Sequence, residues 1–198
     1  MKPNQIAITT AIIAAAIILT AVLSTASLNA AATGGGAEQG NAGQIARGKY
    51  LVDIMGCHDC HTPMKMGPQG PERDWDRALS GHPEYVVMPP APSLPPGPWI
   101  STVGATFTAW NGPWGTSFTM NLTPDKETGL GDWTVEEFIA TMKTGRERGK
   151  GRPVLPPMPV EVVSKLTDTD IRALFAYLQT VKPIKNRIPQ PIDPPESK

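Results

Sequence analysis

An all-α fold with a large loop component is what three features of this 198-residue sequence predict. Apolar residues recur at helical spacing in three separated stretches, near 42–55, 134–144 and 168–181. Between the first two, from Thr62 to about Gly131, proline and glycine return every few residues and no long element is legible. The only two cysteines stand directly after the first stretch, in Cys57-His58-Asp59-Cys60-His61.

That pentapeptide reads Cys-x-x-Cys-His, the attachment signature of a c-type haem. Two thiols about one helical turn apart can each add to a haem vinyl group as a thioether. His61, next in line, can then reach the iron as proximal ligand through a neutral imidazole nitrogen. Three other readings fit less well. A redox-active Cys-x-x-Cys belongs at a strand-to-helix turn of a βαβ unit, and no such alternation is present. A zinc site needs a second ligand pair, but His82 is the only histidine outside the motif. A disulfide across so short a loop gains little chain entropy.

The elements follow in order. Lys2, an uncharged run from Ile6 to Leu23 and small residues from Ser24 to Ala32 have the layout of a signal peptide. Cleavage near Ala30–Ala32 is the favoured outcome; an uncleaved membrane anchor over residues 6–23 is the alternative. Either way the chain is expected to be exported, to a bacterial periplasm, where haem is attached to such motifs. Residues 33–42, with Gly34-Gly35-Gly36, read as a flexible linker. A haem domain is expected over 43–186, opening with a helix from about Ala42 to Met55 whose face carries Ile45, Tyr50, Leu51 and Ile54.

The stretch 62–131 is read as a loop wrap over haem surface, anchored by Trp99, Trp110, Trp114 and Phe118, or as one in which these aromatics pack on each other. Ser117–Leu122 is a plausible short strand. Thr134 with Glu137 is a capping box opening a helix that stops at Gly145, with Phe138, Ile139 and Met142 as its apolar stripe. A short helical turn fits Glu161–Leu166. The last helix starts near Thr167 or Asp168, runs to about Val181 and buries Ile171, Leu174, Phe175 and Leu178. Residues 187–198 form a proline-rich tail, extended or disordered.

Composition agrees with this plan. With 22 prolines and 19 glycines, regular elements alone cannot fill a core, and a flat apolar haem supplies the missing interior. A formal net charge of zero gives no argument for a nucleic-acid partner.

The iron's distal side decides function. Of eight methionines, Met88, Met120 and Met158 are placed to serve. Met158, in Leu155-Pro156-Pro157-Met158-Pro159, is the first choice, because flanking prolines hold a thioether at little ordering cost. The alternatives are a core methionine with five-coordinate iron, or His82, which reads as a loop residue. With His61 and Met158 both bound, the iron has no open position and its potential is raised, which suits single-electron carriage. A vacant distal position would instead suit a peroxidase-like haem enzyme or a ligand-binding sensor.

With the haem motif, Asn121-Leu122-Thr123-Pro124-Asp125, Thr128-Gly129-Leu130-Gly131-Asp132-Trp133 and Pro157-Met158-Pro159, the chain resembles a bacterial monohaem, class I-like cytochrome c. It is similar to single-haem units of the cytochrome c subunits of periplasmic alcohol, aldehyde and gluconate dehydrogenases, over roughly Ala42 to Val181. The resemblance implies Cys57 and Cys60 as thioether sites, His61 as proximal and Met158 as distal ligand. It also implies an electron carrier rather than an enzyme, alone or as an electron-transfer subunit. Its partners would be a redox donor and acceptor: a dehydrogenase, another cytochrome or a terminal oxidase.

Lys143, Arg146, Arg148, Lys150 and Arg152 crowd into ten residues against Glu147. This strip is expected to steer an acidic redox partner, to bond haem propionates, or simply to solvate a loop.

Overall fold

The computed structural model describes residues 40–194. The expected signal peptide or anchor over 1–32 and most of the 33–42 linker lie outside the described residues. Residues 40–42 are helical rather than linker. The chain divides into a unit ending at Gly43 and one running from Gln44. Among the described residues no helix is long and apolar enough to cross a membrane.

Helix α1 covers 40–54 and gives way, through Gly56 in the left-handed region (φ 66°), to α2, Cys57–His61. The burial of α1 corrects the expected face. Tyr50 and Ile54 are exposed, while Gly48, Leu51 and Val52 are buried. The reason is Gly48. A Cβ there would overlap the Ala173 carbonyl oxygen and come 2.8 Å from Tyr177 Cβ, so α1 crosses the last helix at backbone contact. The crossing selects the residues one turn from Gly48.

Three more helices complete the helical part: α3 (Val135–Thr144), α4 (Val160–Val163) and α5 (Asp168–Leu178). The capping box on α3 is formed in both directions between Thr134 and Glu137, and Gly145 ends the helix at φ 64°. Phe138 and Met142 are buried, with Ile139 partly buried beside them. In α5, Thr167 caps the start, and Ile171, Leu174 and Leu178 are buried as expected. Phe175 is half-buried and stacks on Phe138 with centroids 5.3 Å apart. The helix ends at Leu178, short of Val181, and α4 starts and ends earlier than the expected turn. Leu51, Val52, Leu79, Leu130, Phe138, Met142, Val163, Ile171, Leu174 and Leu178 form one core.

Arg47 bonds Asp170 at 2.9 Å across the same crossing. This bond is the main reason the Asp170 carboxyl sits below its usual range, with the Thr167 hydroxyl adding to it against partial desolvation. A depressed folded-state value contributes stability that is complete above the unfolded carboxylate value, about pH 4, and is lost as pH falls through the folded value. Asp170→Asn is therefore expected to flatten the acid limb of the stability profile between about pH 5 and pH 2, read as urea midpoints. An unchanged acid limb would refute the assignment.

The expected loop wrap is not wholly irregular: the fold is mostly helical, with two small antiparallel sheets. Strand β1 (Met64–Gly67) pairs with β2 (Gly70–Arg73). Strands β3 (Thr102–Val103), β4 (Ala109–Gly112) and β5 (Gly115–Phe118) form the second, in that order. The short strand expected at Ser117–Leu122 is thus shifted toward Gly115. From Val86 to Pro124 the chain has no ionisable side chain. Trp99 is 76 % exposed and anchors nothing, Trp110 stands edge-on to Phe107, and Trp114 lies over Gly112.

Beyond α5 the described chain, up to residue 194, forms no further helix and is anchored at several points. Ile184 receives hydrogen bonds from Asn121 and Thr123, and Asn186, fully buried, bonds the Ser80 and His82 carbonyls and accepts from Arg77. Further on, Ile192 bridges to Thr116 of β5.

Candidate functional site

Helix α2 is too short to hold its own position, so neighbouring elements fix it. Arg73 of β2 donates to the His58 carbonyl at 2.6 Å and pairs with Asp59. The buried Thr62 hydroxyl lies 2.8 Å from His58 Nδ1 and accepts from the Leu79 amide. Gly81, at φ 74°, passes so close to Thr119 and Met120 that any Cβ would overlap their backbone, and its N–H bonds the His61 carbonyl.

That approach brings the Met120 carbonyl within 2.8 Å of His61 Nδ1. A carbonyl only accepts, so Nδ1 carries the proton and the Nε2 lone pair is left for a ligand bond. Burial pushes the His61 imidazole below its ordinary value, against the opposing Met120 bond, and keeps it neutral. Burial also pushes the Cys57 thiol up to about 11 and raises Cys60, so both stay protonated thiols at neutral pH.

Cys57, Cys60 and His61 border one cavity of about 430 Å³, inside the roughly 300–1,000 Å³ range of small-molecule and cofactor pockets. Met158, in its proline-rich segment, borders the same cavity, as do core residues such as Leu130, Phe138 and Leu174. Met120 lines it too, but its backbone is tied to His61, whereas Met158 enters from a separate segment. Met88 lies against Gly104 and does not border the cavity. His82 is a loop residue as expected, yet fully buried. Its two ring nitrogens are engaged with the Thr108 hydroxyl and the Val86 carbonyl, so it is no ligand candidate. Of the aromatics expected to anchor a wrap, only Phe118 reaches the cavity.

The basic strip is largely consumed inside the chain. Lys143 donates to the Leu166 carbonyl and lies 3.5 Å from Asp168. Arg148 bonds Glu137 and covers the Trp133 ring at 4.9 Å, Arg146 bonds the Gly151 carbonyl, and Arg152 bonds Glu147. A partner-steering field from all five charges is not what this arrangement offers, because acidic neighbours cancel most of them. Arg152 and Glu147 border the cavity as a pair.

Two cavity residues escaped sequence reasoning. Ser117 Oγ donates to the Pro156 carbonyl at 2.5 Å. Thr119 Oγ1 is buried without a hydrogen-bond partner among the described residues. Neither serine nor threonine in a short strand carries a signal that distinguishes it from its neighbours. Among the described residues no cluster of three or more His, Cys, Asp or Glu could hold a metal ion, so the zinc reading finds no further donors.

Comparison with known proteins follows the same residues. The sequence model described as cytochrome c matches residues 45–182. The fructose dehydrogenase cytochrome subunit of Gluconobacter japonicus is 29 % identical over 74 % of this chain and 24 % of its own length. The alcohol dehydrogenase (quinone) cytochrome c subunit of Gluconobacter oxydans is 31 % identical over 73 % of this chain and 23 % of its own. The gluconate 2-dehydrogenase cytochrome c subunit of Pantoea cypripedii is 37 % identical over 33 % of this chain and 14 % of its own. The chain thus spans about a quarter or less of the length of these relatives.

Proposed function

The chain belongs to the cytochrome c family, and from that premise we propose that it carries single electrons on one His/Met-ligated haem between exported redox proteins. A cytochrome c domain with the Cys57 and Cys60 pair implies a c-type haem. In this proposal the two thiols form the thioethers, His61 Nε2 is the proximal ligand and Met158 the distal one. The residues fit such a group. The cavity offers thiols, a neutral imidazole and a thioether among apolar walls, and Thr119 Oγ1 is a buried hydroxyl with no partner among the described residues.

When bound, the haem supplies an iron that takes up and releases one electron. The chain's own residues do the rest. The Met120 carbonyl orients His61 and the core side chains exclude water, and the Met158 sulfur would serve as the second protein ligand and raise the potential. Such a site leaves no place for a small substrate, which makes the protein a carrier rather than an enzyme. The observation that carries the reading is that His61 and Met158, from separate segments, meet at one apolar cavity beside the cysteine pair.

The named relatives are cytochrome subunits of dehydrogenases, so a dehydrogenase is the proposed donor, with another cytochrome or a terminal oxidase as acceptor. The proposed location is the periplasm, free or held to the membrane by residues 6–23. The test uses the haem-loaded protein. Haem should stay with the chain on a denaturing gel. The ferric spectrum should show the weak red band of methionine–iron ligation, and the ferrous form should bind carbon monoxide poorly. Rapid carbon monoxide binding without the red band would mean an open distal site, and a peroxidase-like enzyme or sensor would replace the carrier.

A further inference from the structure

We infer that Ser117 is a positioning residue for Met158, braced by Trp114; the inference rests on the reading of Met158 as iron ligand. Pro156, Pro157 and Pro159 have no backbone N–H, so this segment can be tied down mainly through its carbonyls. Within it, the Met158 amide donates to the Leu155 carbonyl at 3.3 Å and the Val160 amide to the Met158 carbonyl at 2.9 Å. Both bonds are local, and the Pro159 carbonyl accepts only from Val162 and Val163 of the adjoining α4, so none of them ties the segment to the sheet side of the cavity. Among the described residues, the Ser117 bond to Pro156 is the one hydrogen bond that ties 155–159 to the sheet.

Ser117 is 6 % exposed on β5 and borders the cavity. Its hydroxyl has a single proton. The Pro156 carbonyl at 2.5 Å takes it in preference to the Trp110 carbonyl at 3.4 Å. The Trp114 indole N–H donates to the same hydroxyl oxygen at 3.3 Å, so the bonds run in one direction, from indole to hydroxyl to carbonyl. The indole is seated on Gly112, where a Cβ would come 2.5 Å from the ring. Strand β5 thereby acts as a fixed post, and the hydroxyl as the tie that holds the segment two residues from its sulfur.

The tie predicts how often the methionine leaves, which carbon monoxide reports, because it binds ferrous iron only when the sixth position opens. Full-length haem-loaded protein is compared with Ser117→Ala, Ser117→Thr and Trp114→Phe. Ser117→Ala should bind carbon monoxide about tenfold faster and lose the ferric red band at a lower temperature. Ser117→Thr, which keeps the hydroxyl, should stay near wild type. Trp114→Phe should shift the same way by less, and it carries the test if Ser117→Ala does not fold. A Ser117→Ala protein with wild-type carbon monoxide kinetics and band, whatever its global stability, overturns the inference alone. A wild type without the red band sinks the ligand reading and the inference with it.

Discussion

Replacing Met158 by alanine is expected to abolish the red ferric band, open the ferrous protein to carbon monoxide and lower the reduction potential. The shift should be on the order of 0.1–0.2 V, a fraction of the roughly 0.8 V that axial ligands span. A thioether is a soft, neutral ligand that favours the reduced iron, and alanine leaves water or nothing in its place. The side chain is only part of the core, packed against its edge from a proline-rich segment, so its loss should cost folding less than it costs the iron. The control is Met120→Ala. Its backbone carbonyl, which orients His61, survives the substitution, so the red band should remain. A Met158→Ala protein that keeps the band while Met120→Ala loses it would transfer the ligand role to Met120. Optical spectra and a redox titration of both variants settle the matter.

Gly48→Leu is expected to destabilise the fold by about 3 kcal/mol or more, a steep fall in the urea midpoint. The first added carbon would already overlap the Ala173 carbonyl oxygen, a backbone atom on a helix that cannot rotate away. The two helices must separate, and the cost spreads to Leu51, Val52, Ile171 and Leu174, which share the core at that crossing. Gly48→Ala should fall between wild type and Gly48→Leu. Gly43→Ala supplies the contrast. It stands in the same helix with nothing among the described residues within 4 Å of the added carbon, so it should be neutral or stabilising by roughly 0.5–1 kcal/mol. Equal midpoints for Gly48→Leu and wild type would mean that the helices do not meet at residue 48.

What the sequence made legible is what short-range chemistry determines. The Thr134–Glu137 capping box, the stop at Gly145 and the apolar stripe through Phe138 and Met142 are all settled within one or two helical turns. So is the haem signature, whose spacing is its chemistry. The face of α1 was misread because its central contact is made by Gly48, which has no side chain and adds nothing to an apolar pattern. Tyr50 and Ile54 look like core residues only while the partner helix is unknown.

The small sheets were hidden for another reason. Met64–Gly67 and Gly70–Arg73 lack the alternation of a half-buried strand, because in each the two end residues are partly buried and the two middle ones exposed. For the basic strip, steering, propionate binding and plain solvation stayed open in the sequence because three of its acidic partners, Asp132, Glu137 and Asp168, lie outside the cluster. Ser117 and Thr119 could not be found at all, since their importance comes from what stands across the cavity.

The stretch from Val86 to Pro124, which supplies one border of the cavity, has no ionisable side chain of its own. His61, Glu147 and Arg152 stand on the other parts of the lining, while Ser117–Met120 and Leu122 offer only neutral groups. Acid reaches that border through two histidines that stand outside it: His61, bonded to the Met120 carbonyl, and His82, bonded to the Thr108 hydroxyl and the Val86 carbonyl. Heat and urea, which loosen apolar contacts and neutral hydrogen bonds alike, act on both sides of the cavity. One side of the cavity is therefore neutral in its own side chains and takes its response to acid from two neighbouring histidines, while the other carries charged side chains of its own.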